Sequence, residues 1–255
     1  MPAPNTLMHS SAPLVEVFSS LQGEGVLAGY RQIFIRFPGC NLECAFCDTR
    51  IEAPPVCRIE TAPGSGTFSD HPQPINLSTV LDLVHRWCRQ LPDAHHSISI
   101  TGGEPMLHAD LLAHWLPELN ILLPVHLETN GTMPEYLPRL IEHLDYISMD
   151  IKLPTSAATP AFWHEHHCFL EIAEERDVSV KVIVGELTSD HDIIKAAELV
   201  AEIDDEIPFI IQPVTDRDGR VAVSAERLLR YQAAVAGKLA DVRVLPQIHR
   251  FLEAL

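Results

Sequence analysis

Cys40, Cys44 and Cys47 form a C-x3-C-x2-C run directly behind Gly39. Three thiolates so spaced suit an iron–sulfur cluster in which one iron keeps no protein ligand. Ferredoxin-type clusters take four cysteines and leave no such vacancy. A structural zinc site wants four ligands, commonly as two C-x2-C pairs, and the chain has no second pair. An iron without a thiolate can bind a substrate or a cofactor. The other cysteines read as bystanders. Cys88 falls on the apolar face of an expected helix and is core. Cys57 sits in an expected loop as a spare thiol, and a fourth ligand there would close the vacant iron. Cys168 follows His164, His166 and His167, which read as a solvated helix face, as His95 and His96 read as a loop pair.

Further polar groups recur where apolar runs end. Thr101, Gly102, Gly103, Glu104 and Pro105 follow one run; there the glycines permit close backbone approach and the glutamate can accept from an ammonium. Glu128, Asn130 and Gly131 end the next run, Asp150, Ile151 and Lys152 another, and Gln212, Pro213, Val214 and Thr215 a fourth. Each alone is an ordinary strand-to-helix turn. Upstream, Leu21, Gln22, Gly23, Glu24 and Gly25 lack the Lys-Ser/Thr of a P-loop. With Arg36 they offer an amide, a carboxylate and a guanidinium, a set suited to a ligand with an amidine-like ring edge and a carboxylate. Asp48 and Thr49 follow the last cluster cysteine; the hydroxyl of Thr49 could join a Mg²⁺ shell completed by substrate oxygens and water.

Positioning these groups requires strands alternating with helices. Short apolar runs at Leu14–Phe18, Gln32–Phe37, Ser97–Thr101, Val125–Glu128, Tyr146–Asp150, Val178–Val184, Phe209–Gln212 and Val242–Leu245 read as strands. Ser78–Leu91, Asp190–Ile203 and Ser224–Ala236 read as amphipathic helices, the first with Val80, Leu81, Val84, Trp87, Cys88 and Leu91 on one face and Asn76 or Ser78 as its cap. Repeated βα units predict an α/β fold with a mostly parallel sheet, open or closed into a barrel, and a ligand site at the carboxyl ends of its strands. The segment Arg50–Pro74 carries seven prolines or glycines and reads as a long loop inserted at about residues 50–76 of a single domain spanning 1–255.

Composition narrows the partners. The chain has 35 acidic and 18 basic side chains, a net charge of −17 and no basic run, which repels nucleic acids and anionic membranes. Its 46% hydrophobic content supports a large core. No stretch approaches the roughly 20 apolar residues of a membrane span, and residues 1–11 lack the charge and apolar pattern of a secretion signal. Six cysteines in 255 residues do not make a disulfide scaffold, so a reducing cytoplasm is expected.

C-x3-C-x2-C followed by the Thr101–Pro105 turn resembles the radical S-adenosylmethionine (SAM) enzymes. Leu21–Gly25, then Phe34, Ile35 and Arg36, then Gly39 through Thr49 resemble a narrower family, the 7-carboxy-7-deazaguanine synthases, and the resemblance runs from Val15 to the C-terminus. It implies a modified, incomplete (β/α) barrel holding a [4Fe–4S] cluster on Cys40, Cys44 and Cys47. It implies SAM against Phe46, Gly102, Gly103, Glu104, Glu128, Asn130, Asp150 to Lys152 and Gln212 to Thr215. It places Mg²⁺ at Thr49 and a pterin substrate against Leu21, Gln22, Gly23, Glu24, Arg36, Thr101, His249 and the terminal carboxylate of Leu255. The implied reaction is the radical ring contraction of 6-carboxy-5,6,7,8-tetrahydropterin to 7-carboxy-7-deazaguanine and ammonia, with an electron donor such as flavodoxin, in a homodimer. Asp150, Ile151 and Lys152 depart from the family's usual Ser-Pro-Lys and resemble the glycyl-radical activating enzymes instead. That activity, and a non-catalytic iron–sulfur or redox protein, stand as the alternatives.

Overall fold

Ser97, Ser99 and Thr101 alternate with Ile98 and Ile100, and the same period-two pattern runs through the neighbouring strands. A parallel strand covered by helices on both sides is apolar throughout. Alternation in this sheet therefore marks one apolar face and one polar face.

The structure, a computed structural model, describes residues 10–47, 49, 52–216 and 219–254. Its strands are β1 (Ser11–Ala12), β2 (Glu16–Leu21), β3 (Arg31–Phe37), β4 (Val56–Glu60), β5 (Phe68–Pro72), β6 (Ile75–Asn76), β7 (Ser97–Gly102), β8 (Val125–Thr129), β9 (Tyr146–Asp150), β10 (Asp177–Val184), β11 (Phe209–Pro213) and β12 (Val242–Val244). Ten of them form one sheet in the order β12-β11-β10-β9-β8-β7-β3-β2-β4-β5, and β1 pairs with β6 apart from it. Neighbours from β12 to β3 are parallel, β2 runs antiparallel to β3, and β4–β5 is an antiparallel pair. The sheet is open, with β12 and β5 at its edges.

Helices at Leu77–Gln90, Ala109–Asn120, Trp163–Ala173, Asp190–Ala201 and Ala225–Val235 connect the parallel strands. They share one buried apolar cluster with the sheet: Val84, Trp87, Trp115, Phe169 and Val200 come from the helices, and Ile35, Ile98, Ile100, Leu127, Ile147 and Val182 from the strands. In the first helix Leu83 is buried where Leu81 was expected, and Leu81 and Cys88 pack at the margin. Asn76 stands at its N-cap without a side-chain bond; the Leu77 N–H donates instead to Ser10 O at 2.8 Å. Among the described residues no helix is long and apolar enough to cross a membrane.

The 50–76 segment is not the loop its prolines suggested. Val56–Glu60 and Phe68–Pro72 form a hairpin that extends the sheet past β2. The buried carboxylate of Glu60 fixes it, accepting from the N–H groups of Ser19 (2.9 Å), Gly64 (3.1 Å) and Gly66 (2.8 Å). Pro72 is tolerated because β5 is the edge strand. Cys57 on β4 is buried core, its thiol pushed up to about 12 by that burial and by the charge of Glu16.

A candidate active site on the polar face of the sheet

The polar face encloses a cavity of about 810 Å³, open toward the carboxyl ends of the strands. Cys40, Cys44 and Cys47 border it, on the loop after β3. That loop lies hard against the end of β7. Glu104 N–H donates to Gly39 O at 2.8 Å, and a Cβ on Gly103 would stand 2.0 Å from the same oxygen. Only glycine lets the two segments close. Asn130 Nδ2 donates to Asn41 Oδ1 at 2.8 Å, and Ala45 N–H to Ala157 O at 2.9 Å, so the turn after β8 and the short helix Pro154–Ala157 also anchor the cysteine loop. Burial raises the Cys40 and Cys44 thiols, and Lys152 opposes it. Lys152 pairs with Asp150 at 2.7 Å and lies over the Phe46 ring at 5.5 Å.

The other half of the cavity lies against β2, β3 and the C-terminal segment. Phe18 and Phe34 stack at 4.9 Å along its wall, and Arg36 sits beside them, its Nε 3.0 Å from Glu16 Oε1. Glu24 pairs with Lys181 and accepts from Gln247 Nε2 at 2.7 Å. Burial alone would push the Glu24 carboxyl up; the charge and hydrogen bond of Lys181, with the Gln247 amide, overcome it and hold the group at about 2. Gly23 O accepts from Ile248 N–H at 2.9 Å, and the His249 ring fills the place a Cβ on Gly23 would occupy.

Most of the residues singled out in the sequence border this one cavity: Leu21 to Glu24, Arg36, Phe46, Thr49, Thr101 to Gly103, Glu128, Asn130, Asp150, Lys152, Gln212 to Thr215 and His249. Glu104 and Ile151 do not. Glu104 is fully buried, and its carboxylate accepts from Met106 N–H (2.9 Å), Thr129 Oγ1 (2.8 Å) and Asn130 N–H (2.7 Å). It braces the β8 turn. Ile151 belongs to the apolar core. Glu128 lies toward Gln22, which donates to it at 3.0 Å, and so toward the pterin side of the expected division. Asp48 and Leu255 lie outside the described residues. Two histidine readings also change. His166 is buried, its Nε2 3.1 Å from Asn130 O, and His95 is buried with Nε2 2.9 Å from Ser19 Oγ.

Sequence reasoning passed over Gln32, Ser99, His126, Ser148, Lys181 and Gln247. All but Gln247 stand on the polar face, alternating with core positions. The signal was present: a lone lysine within Asp177–Val184, and polar or ionisable side chains at every second place in β7 to β9. Reading these strands as simply apolar hid it.

Residues 34–200 match the radical SAM superfamily, more than half of the chain. A 7-carboxy-7-deazaguanine synthase of Geobacter sulfurreducens is 47% identical over 96% of this chain and 98% of its own length. The chain belongs to the 7-carboxy-7-deazaguanine synthase family. A member from Methanothermobacter thermautotrophicus is 37% identical over 94% of this chain and 97% of its own. The crystal structure of QueE from Escherichia coli covers 96% of this chain with a TM-score of 0.61 at 22% identity, a likeness of fold.

The residues of this synthase-family cavity fit a cluster and SAM. Among the described residues no three His, Cys, Asp or Glu side chains converge on a single ion. Three thiols that border one cavity suit a cluster in which each holds a different iron. For SAM, Gln212 Oε1 and Asp150 Oδ1 are buried without a partner among the described residues, on side chains that line the cavity. Thr49 alone does not make a Mg²⁺ site.

Proposed function

We propose that the chain converts 6-carboxy-5,6,7,8-tetrahydropterin to 7-carboxy-7-deazaguanine and ammonia. One observation carries this reading. A single cavity joins the three cysteines to Gln22, Glu24, Arg36 and His249, so a radical source and a carboxylate-bearing heterocycle fit side by side. When bound, the cluster and SAM supply the hydrogen-abstracting radical chemistry. The chain's own residues bind, orient and screen. Arg36 takes the substrate carboxylate as a planar fork. Gln22 and Glu24 take the amidine-like ring edge, and the Phe18 and Phe34 pair walls the site against water. Glu24, held at about 2, is an acceptor only at neutral pH, and Lys181, held well above its ordinary value, stays a fixed cation. Neither moves a proton. Thr49 joins Mg²⁺ only when substrate oxygens complete the shell. A flavodoxin-type donor, a homodimeric assembly and a cytoplasmic setting complete the reading.

The test is an anaerobic assay with reconstituted cluster, SAM, Mg²⁺, reductant and the pterin, read by mass spectrometry. Formation of 7-carboxy-7-deazaguanine without stoichiometric loss of SAM is expected. Release of 5′-deoxyadenosine with no deazapurine would discard the substrate and return attention to an activase.

A further inference from the structure

His126 is fully buried on the polar face of β8, yet touches the cavity only through another residue. Its tautomer follows from a chain of bonds that begins at an unambiguous donor. Glu24 N–H donates to Gln22 Oε1 at 3.0 Å, which fixes the Gln22 amide. Gln22 Nε2 then donates to the Glu128 carboxylate and to Gln32, both at 3.0 Å, so the Gln32 atom it meets is the oxygen. Gln32 Nε2 therefore faces Ser97 Oγ (2.8 Å) and His126 Nδ1 (3.3 Å). Gln32 Oε1 lies 3.4 Å from the same nitrogen, but it already accepts from Gln22, and an Nδ1–H directed at it would leave one hydrogen of the Gln32 amide without an acceptor. His126 thus carries its proton on Nε2, which lies 2.8 Å from Ser148 Oγ. Burial keeps the ring neutral against the opposing charge of Glu128, with the Lys181 charge acting on the side of burial.

Ser148 Oγ accepts the hydrogen bond from that Nε2–H. Its own hydroxyl hydrogen then points elsewhere, and Ser148 borders the cavity with no further partner among the described residues. We propose that His126 is a positioning residue that makes Ser148 an obligate hydrogen-bond donor to an acceptor atom of the substrate ring. The proposal rests on the cavity being the pterin site. Ser148 stands beside Glu128 in the β8–β9 register, so a donor and an acceptor lie next to one another. Such a pair matches a lactam edge, in which a ring N–H adjoins a carbonyl. His126 and Ser148 thereby determine specificity without either entering the chemistry.

The experiment is a double-mutant cycle on the reconstituted holoenzyme, with variants Ser148→Ala, His126→Phe and both together. Each single variant should raise the pterin KM about tenfold with kcat little changed. The double variant should be little worse than Ser148→Ala, because the bond by which His126 reaches the cavity edge runs through Ser148. His126→Gln places an amide N–H near the former Nε2 and should restore most of the loss. Iron content and SAM binding should match the parent throughout. Additive losses, or no rescue by His126→Gln while Ser148→Ala alone raises KM, would overturn the positioning role. Ser148→Ala at parental KM would remove the donor. If the parent makes no deazapurine from the pterin, the functional reading itself fails and the donor role, which rests on it, falls with it.

Discussion

Lys181 reaches Glu24, 157 residues earlier in the chain, and its ammonium also lies 3.7 Å from Asp150 Oδ2. This cation joins the substrate-side loop to the strand that ends at the cluster-side pair Asp150 and Lys152. Removing one partner of a buried ion pair costs about 3–5 kcal/mol, and the residual exposure of 13% and 20% points to the lower end. Lys181→Met should therefore lower the urea unfolding free energy by about 3 kcal/mol. The double variant with Glu24→Gln should recover most of it. Matching urea midpoints for Lys181→Met and the parent would show that the pair is not part of the stability.

The same pair sets a pH profile. Glu24 is held below its ordinary 4.5, at about 2, so its contribution is complete above pH 4.5 and disappears as pH falls toward 2. Lys181 is held above its ordinary 10.5, so its contribution is complete below that value and lost above it. Both are present at neutral pH. Glu24→Gln should flatten the acid limb of stability between about pH 4.5 and 2, by on the order of 3 kcal/mol. This is the ion-pair energy seen by a second route. An unchanged acid limb would assign acid unfolding to other carboxylates.

Gly23 and His249 make a third test. A Cβ on Gly23 would sit 1.9 Å from His249 Nδ1, while Gly23 O holds Ile248 N–H at 2.9 Å. Gly23→Ala must push the imidazole aside and loosen the C-terminal segment from the cavity. The expected result is a severalfold higher pterin KM with SAM cleavage and iron content kept. Loss of all three would mean that the segment supports the whole fold.

How much of this was legible in the sequence depended on whether the signal was local. The βα alternation, the parallel sheet and the cysteine loop were readable because periodicity and spacing are local. The Val56–Pro72 hairpin was not, because its order comes from Glu60 accepting backbone N–H groups on either side of the turn and from β2. The surroundings of Glu104 were hidden for a related reason. Its sequence neighbourhood says ligand, but Thr129 and Asn130, brought up by the adjacent strand, take its oxygens first. His166 looked solvated within a polar run, yet its helix turns it under Asn130. Lys181 and His126 gain meaning only once the sheet decides which face is open.

Arg36 offers the most direct test of substrate orientation. Glu16, its direct partner in the β2–β3 register, holds Nε at 3.0 Å, and the guanidinium carbon lies 5.7 Å from the Phe18 ring centroid. With Nε engaged, the two terminal nitrogens remain to form the fork that meets a carboxylate. Charge-assisted bonds of this kind contribute roughly 1.5–3 kcal/mol, so Arg36→Ala should raise the pterin KM by about ten- to a hundredfold. Arg36→Lys should restore little, since an ammonium supplies neither the fork nor the Nε contact with Glu16. Glu16→Gln should give a smaller rise, because a neutral amide still accepts from Nε. SAM binding and iron content should stay at parental values in all three. Equal loss of SAM cleavage and pterin turnover in Arg36→Ala would make Arg36 a brace for the β2–β3 edge and leave the substrate carboxylate to another cation.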